Sequence, residues 1–225
     1  LRDHDPTKPL IFIHLPKTAG TSVKEIVRGW FPDRFHHHYI NESAGRMPER
    51  LPDERLADRD APPLIYGHFN RQREAGIDLY YPGVTQFVTI LRDPFDMTVS
   101  AVYYWRSVVD PQADLNQIGT GQIASQLRKR APHTLLHFPA GITMENYRDV
   151  LSEKFIHIGV TEDLPRSMTQ IAAKLDKPFT PADLPRANVT ERPREFPQSL
   201  RDEYRERFPL EHAIHDFARD LVRRG

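Results

Sequence analysis

Leu10-Ile11-Phe12-Ile13-His14-Leu15 runs directly into Pro16-Lys17-Thr18-Ala19-Gly20-Thr21-Ser22. The first six residues form an apolar run that reads as a buried strand. The next seven are small, hydroxylated or cationic. Val23, Ile26, Val27 and Trp30 then recur at helical spacing, which predicts a helix over about Thr21–Trp30. A strand, a tight loop and a helix start in succession make an anion site. The first N–H groups of a helix lack intrahelical partners, and the positive end of its dipole points the same way. Gly20 lets backbone approach closely. Lys17 brings a full positive charge, and Thr18, Thr21 and Ser22 bring hydroxyls.

The loop is not a Walker A motif, which needs glycine directly before the lysine and a second one five residues earlier. Pro16 and Ile11 occupy those positions. A nucleoside-triphosphate reading is weakened accordingly. A strand–turn–helix with a chance lysine is the plain alternative.

A second junction lies downstream, in Phe87-Val88-Thr89-Ile90-Leu91-Arg92-Asp93-Pro94-Phe95-Asp96-Met97-Thr98-Val99-Ser100. A strand over Gln86–Leu91 ends at Arg92. Asp93 is placed to cap a helix opened by Pro94, whose missing N–H costs nothing in the first turn. Arg92 offers a planar fork of donors suited to phosphate, and Ser100 follows two helical turns into the helix. The competing reading pairs Arg92 with a carboxylate and leaves Ser100 an ordinary helix serine.

Further strands are expected at Leu64–Gly67 and Phe155–Val160. Helices are expected after Pro94, over Gly119–Arg130, after the Thr161-Glu162-Asp163 cap, and in the tail through Leu210, Ile214, Phe217 and Leu221. The stretch from Asp33 to Pro63 reads as loop with one short helix. Prolines 178, 181, 185, 193 and 197 punctuate an irregular segment. Alternating strands and helices imply an α/β layered domain with a mainly parallel sheet, and residues 1–225 are expected to form one domain. Ligands of such sheets bind beyond the carboxyl ends of the strands, the edge where the Lys17 loop and Arg92 both fall.

Thirty-one basic residues balance thirty-one acidic ones, which argues against a general nucleic-acid binder. With no cysteine, neither a disulfide framework nor a thiolate metal site can form. The cysteine count fits a reducing compartment, so cytoplasm is expected. The Golgi lumen is the alternative should an anchor precede Leu1. No run of sequence is long and apolar enough for a membrane span.

Together the two junctions resemble the sulfotransferases that use 3′-phosphoadenosine 5′-phosphosulfate (PAPS). Pro16–Ser22 looks like their 5′-phosphosulfate loop, and Arg92 to Ser100 looks like their 3′-phosphate motif. The flavour is that of carbohydrate sulfotransferases, nearest the uronyl 2-O-sulfotransferase branch, with its Arg-Asp-Pro junction followed by serine and tyrosines, here Ser100-Ala101-Val102-Tyr103-Tyr104-Trp105. The resemblance implies a P-loop-like sulfotransferase fold. It implies sulfuryl transfer from PAPS to a hydroxyl of a saccharide or related acceptor, leaving adenosine 3′,5′-bisphosphate (PAP), with no metal. It places Lys17 at the leaving phosphate, Thr18, Ala19, Gly20, Thr21 and Ser22 around the 5′-phosphate, and Arg92 and Ser100 on the 3′-phosphate. Arg192 or Arg194, in a late basic stretch, are candidates to close over the nucleotide, against a solvated linker.

The acceptor hydroxyl needs a base, and His68, at the end of the Leu64–Gly67 strand, is the candidate. Glu42, Glu74 and His14 are alternatives. The 2-O branch carries His-Gly-His where this chain reads Tyr66-Gly67-His68. The run His36-His37-His38 is expected in a solvated loop, since adjacent histidines do not readily converge on one metal. Asn41-Glu42-Ser43 and Asn188-Val189-Thr190 match a glycosylation pattern that is frequent by chance. Tyr103, Tyr104 and Trp105 are expected in the core, Tyr80 and Tyr81 in an exposed acceptor loop. The rival functions are an ATP- and Mg²⁺-dependent P-loop kinase, for which Asp93 and Asp96 would hold the metal, and a nucleotide-binding module without turnover.

Overall fold

The computed structural model describes residues 1–112, 119–185 and 196–225. Five parallel strands form one sheet in the order β2-β3-β1-β4-β5: β1 (Leu10–Ile13), β2 (Phe35–His38), β3 (Leu64–Gly67), β4 (Phe87–Leu91) and β5 (Phe155–Val160). The expected α/β architecture with a parallel sheet is what the chain adopts.

Alternation along the strands assigns the two faces. Leu10 and Phe12 of β1 face one core with Tyr66 and Val88, beneath α1 (Gly20–Trp30) and α8 (Leu164–Lys174). Ile11 and Ile13 face the other, with Ile65 and Leu91, beneath α10 (Pro209–Arg224) and α7 (Tyr147–Lys154). Both faces of the sheet are therefore covered, which explains why β1, β3, β4 and β5 are buried end to end. A third cluster joins α4 (Pro94–Val109), α5 (Thr120–Lys129) and α9 (Gln198–Arg207) through Phe95, Val99, Leu127 and Tyr204. The helix expected through Leu210, Ile214, Phe217 and Leu221 is α10, which α9 precedes across Phe208-Pro209.

Two expectations fail, at the histidine run and at Tyr81. The histidine run is not a solvated loop: it is β2, an edge strand on β3. Its sheet pairing determines that conformation, which apolar periodicity could not signal. His38 is fully buried, its Nε2 pairs with the Ala75 carbonyl at 3.0 Å, and its ring stacks on Phe69 at 4.4 Å. Burial pushes its pKa down to about 4. His36 instead reaches the Glu49 carbonyl at the edge. The short helices are α2 (Asp53–Leu56), α3 (Ile77–Tyr80) and α6 (Thr134–His137). Tyr81, expected in an exposed loop, follows α3 and is buried against Phe69 and His38. Tyr80 is half-buried.

Parallel pairing brings the carboxyl ends of β1, β3 and β4 to one edge. The chain leaves β1 for β2 at one side of the sheet and leaves β4 for β5 at the other. The outgoing connections diverge between β1 and β4, which opens a crevice there.

Candidate functional site

Two non-glycine residues in the loop after β1 are left-handed, Lys17 at φ 68° and Ala19 at φ 60°. Such successive reversals point backbone N–H groups into one concavity, a nest for an anion. The first helical bonds of α1 run from the N–H groups of Ser22 and Val23 to the Ala19 carbonyl, at 3.1 and 3.3 Å. The N–H groups of Gly20 and Thr21 stand ahead of them, at the positive end of the helix. The Thr18 hydroxyl is committed inward, donating to the Leu15 carbonyl at 2.8 Å, so Thr18 serves the loop's shape. Ala19 is exposed.

Lys17 is half-buried, with Nζ 4.2 Å from the centre of the Tyr104 ring. Burial, and secondarily the positive charge of Arg92, lower its pKa. Tyr104 and Trp105, expected in the core with Tyr103, are about half exposed at 49% and 52%; of the three only Tyr103 is buried. Their place on α4 explains the split: consecutive helical residues point in different directions, and only Tyr103 turns toward α5 and α9.

Arg92 bridges the two junctions. Its Nη1 donates to the Lys17 carbonyl at 3.0 Å across the β1–β4 crevice. The expected cap is present, with the Asp93 carboxylate accepting from the Asp96 N–H at 3.0 Å. The Asp93 N–H donates to Glu162 at 2.8 Å, and Arg201 pairs with Asp96 at 3.1 Å while lying over the Phe95 ring. Local acids are thereby occupied by other groups. Burial lowers the Arg92 pKa, opposed by Asp96, Glu162 and Asp93, and the guanidinium stays charged at neutral pH. Ser100 lies half-buried in the second turn of α4. Arg192 and Arg194 lie outside the described residues, as do Asn188 and Thr190.

His14 and His68 continue the β1–β3 ladder one step past the Ile13–Gly67 pair. The His14 N–H donates to the Gly67 carbonyl at 2.9 Å, and the two imidazoles stack with centres 4.4 Å apart. The Nδ1 of His68 lies 2.5 Å from the His14 carbonyl. A carbonyl only accepts, so Nδ1 carries the proton and the neutral ring presents Nε2 as its lone pair. Burial lowers the His68 pKa, partly offset by this bond. Tyr39 and His137 complete the surroundings: Tyr39 Oη is 2.8 Å from His14 Nδ1, and the His137 ring is 5.7 Å from that of His68. Tyr66, standing where the 2-O branch has its first histidine, donates its hydroxyl to the Gly20 carbonyl at 3.1 Å and so anchors the start of α1.

The other base candidates are placed differently. Glu42 is exposed and doubly bonded to Arg73 at 2.5 and 3.0 Å, and Glu74 ends a surface turn. His14 is walled in by Tyr39, Tyr66, His68 and Gly20; a Cβ at position 20 would overlap its ring. Sequence reasoning singled out neither Tyr39 nor His137. Tyr39 follows the end of β2 and His137 ends the single turn of α6, neither with apolar periodicity, so only the fold brings them to the site.

No protein-family profile matches the chain, and no curated protein matches its sequence. Among the described residues, no helix is long and apolar enough to cross a membrane. Solved structures of distantly similar backbone include mouse sulfotransferase SULT7A1 complexed with PAP, 16% identical over 88% of this chain and 73% of that one, with a TM-score of 0.43. A sulfotransferase from Alicyclobacillus acidocaldarius is 16% identical over 92% and 96% of the two chains, with a TM-score of 0.41. Retinol dehydratase in complex with androsterone and inactive cofactor PAP is 16% identical over 93% and 68%, with a TM-score of 0.38.

Proposed function

We propose that this chain is a PAPS-dependent sulfotransferase acting on a hydroxyl of a saccharide or related acceptor. The observation that carries the reading is the Arg92 bond to the Lys17 carbonyl, which ties two anion-seeking junctions into one crevice. A single clamp for one phosphate would need only the first. A nucleotide with phosphate groups at both its 5′ and 3′ positions uses both.

In this reading the loop from Thr18 to Ser22 takes the 5′-phosphosulfate on its N–H groups, and Arg92 with Ser100 takes the 3′-phosphate. His68 Nε2 removes the acceptor proton as the acceptor oxygen bonds to sulfur. The bond between sulfur and the phosphate-bridging oxygen breaks, and Lys17 stabilises the charge left on that oxygen of PAP. Transfer of this kind passes through a loose, in-line arrangement, so rate comes from positioning and from charge stabilisation. The partly desolvated Lys17 is worth more to a developing anion than a solvated lysine. A lone pair at His68 Nε2 supplies the base without a change of tautomer.

The test is a pair of calorimetric titrations, with PAP and with ATP plus Mg²⁺, followed by transfer of labelled sulfuryl from PAPS to a panel of hydroxyl acceptors. Binding of PAP with turnover on at least one acceptor is expected. Binding of ATP–Mg²⁺ alone overturns the reading in favour of a kinase. PAP binding with no turnover on any acceptor favours a module that only binds.

A further inference from the structure

Lys17 is held at two points by the second junction. Its carbonyl accepts from Arg92 at 3.0 Å, and its ammonium lies 4.2 Å from the centre of the Tyr104 ring on α4. Its backbone is left-handed, at φ 68°, a conformation that costs a residue with a side chain and persists only where the surroundings hold it. Tyr104 follows Ser100 by four residues on α4, so the two share a face of that helix. One turn of α4 thus separates the serine proposed for the 3′-phosphate from the ring that meets Lys17.

The ammonium has another course open to it. A four-carbon stem usually carries its charge into water, and Tyr104 is itself 49% exposed, so solvent is within reach. Lys17 nevertheless stays half-buried. Burial, and then the charge of Arg92, work against the ammonium there, and no carboxylate offsets them among the described residues. The face of the Tyr104 ring is the group that does. An aromatic face attracts a cation by its quadrupole, and more strongly when the cation has lost part of its water, as this one has.

We propose that Tyr104 is a positioning residue for Lys17: its ring keeps the ammonium inside the crevice, beside Arg92, ready for the charge left on the departing phosphate of PAPS. This role rests on the sulfuryl-transfer reading, and it gives the tyrosine no bond to the nucleotide. Without the ring, a repelled and flexible ammonium swings to solvent and has to be recruited in each turnover, so the loss falls on kcat. PAP is held by the loop N–H groups and Arg92 in the same reading, so its affinity changes little. The ring face is what acts. Phenylalanine therefore suffices at position 104, and leucine does not.

The test pairs a contact measurement with kinetics, both on the full chain. In a proton–carbon correlation spectrum the Lys17 ε-methylene, assigned by its absence in Lys17→Arg, should lie upfield of the ordinary lysine position through the ring current of Tyr104. Tyr104→Leu should return it to that position, lower kcat about threefold to thirtyfold, and leave the Kd for PAP within about twofold. Tyr104→Phe should keep both the shift and the rate. An unshifted ε-methylene in the parent, or a shift that survives Tyr104→Leu, overturns the proposal. So does a shift lost with kcat unchanged, or a loss of rate matched by an equal rise in Kd. Equal losses in Tyr104→Leu and Tyr104→Phe overturn it too, because the hydroxyl would then be the acting group. All of these outcomes leave the sulfotransferase reading standing. A parent chain that transfers sulfuryl to no acceptor overturns that reading, and this role with it.

Discussion

His68 donates its Nδ1 proton to the His14 carbonyl at 2.5 Å, and that bond fixes Nε2 as the lone pair of the neutral ring. The donor side is held by backbone, so the tautomer survives side-chain changes nearby. His68→Ala should lower kcat by about 10²–10⁴-fold, the usual worth of a positioned base, and leave PAP affinity nearly unchanged. The pH profile carries a sign as well. Burial depresses the His68 pKa, so the neutral base persists to lower pH than for a free histidine. The acidic limb of kcat/KM should therefore have its midpoint below 6.5. A midpoint at or above that value assigns the limb to another group.

Lys17 and Arg92 should separate in kinetics. In the proposed reading Lys17→Ala removes charge at the leaving oxygen, and it is expected to cost about 10²–10³-fold in kcat, as for other lost transition-state donors. Arg92→Ala also frees the Lys17 carbonyl, so it should raise the Kd for PAP and loosen the loop. Measuring Kd by calorimetry and kcat by single turnover distinguishes the two. Equal losses of kcat with unchanged Kd for both variants would contradict these roles.

Gly20 has a packing role besides its place in the anion loop. A methyl there would overlap the His14 ring, which has Tyr39, Tyr66 and His68 around it. Gly20→Ala should destabilise by about 1–3 kcal/mol, the range for overpacked cores. At about 2–4 °C per kcal/mol for a chain of this size, a clear drop in Tm follows. Adding His14→Ala should recover part of it, giving a coupling energy in a double-mutant cycle. Strict additivity would mean that the ring yields without cost.

Acid sensitivity should trace to buried histidines. His38 and His157 are both pushed down to about 4 by burial. Between the ordinary value near 6.5 and about 4, the unfolded chain binds protons that the native chain refuses. Their stability contribution is thus complete above pH 6.5 and lost as pH falls toward 4. Each is worth of the order of 3 kcal/mol at most, and Glu211, raised to about 7, offsets part of the loss over the same range. His38→Phe should flatten the fall of urea-derived stability between pH 6.5 and 4.5. An unchanged slope would exclude His38 as a contributor.

Much of the frame could be read from the chain because its strands are apolar and its helices capped. Phe155–Val160 was delimited to the residue, and Asp93 caps α4 as its position before Pro94 implied. Lys17, Arg92 and His68 fall at the carboxyl edge because parallel strands put all three there. The histidine strand was illegible for a physical reason: an edge strand draws its conformation from β3, and Phe35 to His38 carries no alternating apolar signal. Tyr104 was misjudged because two turns of apolar helix precede it, and only the α4–α5–α9 packing shows where burial ends. The contacts of His14 with Tyr39 and of His137 with His68 join residues 25 and 69 positions apart, a relation no local pattern encodes.

The link between Arg92 and the Lys17 carbonyl has a consequence for selectivity. In the proposed reading, two anion grips joined by this bond act as a caliper. A ligand is measured by the span between its charged groups as much as by their number. Isomers of PAP with the second phosphate at the 2′ position carry equal charge but a different span, and should be rejected on geometry alone. Discrimination would then come from the spacing of β1 and β4, which the buried core on either face of the sheet keeps constant.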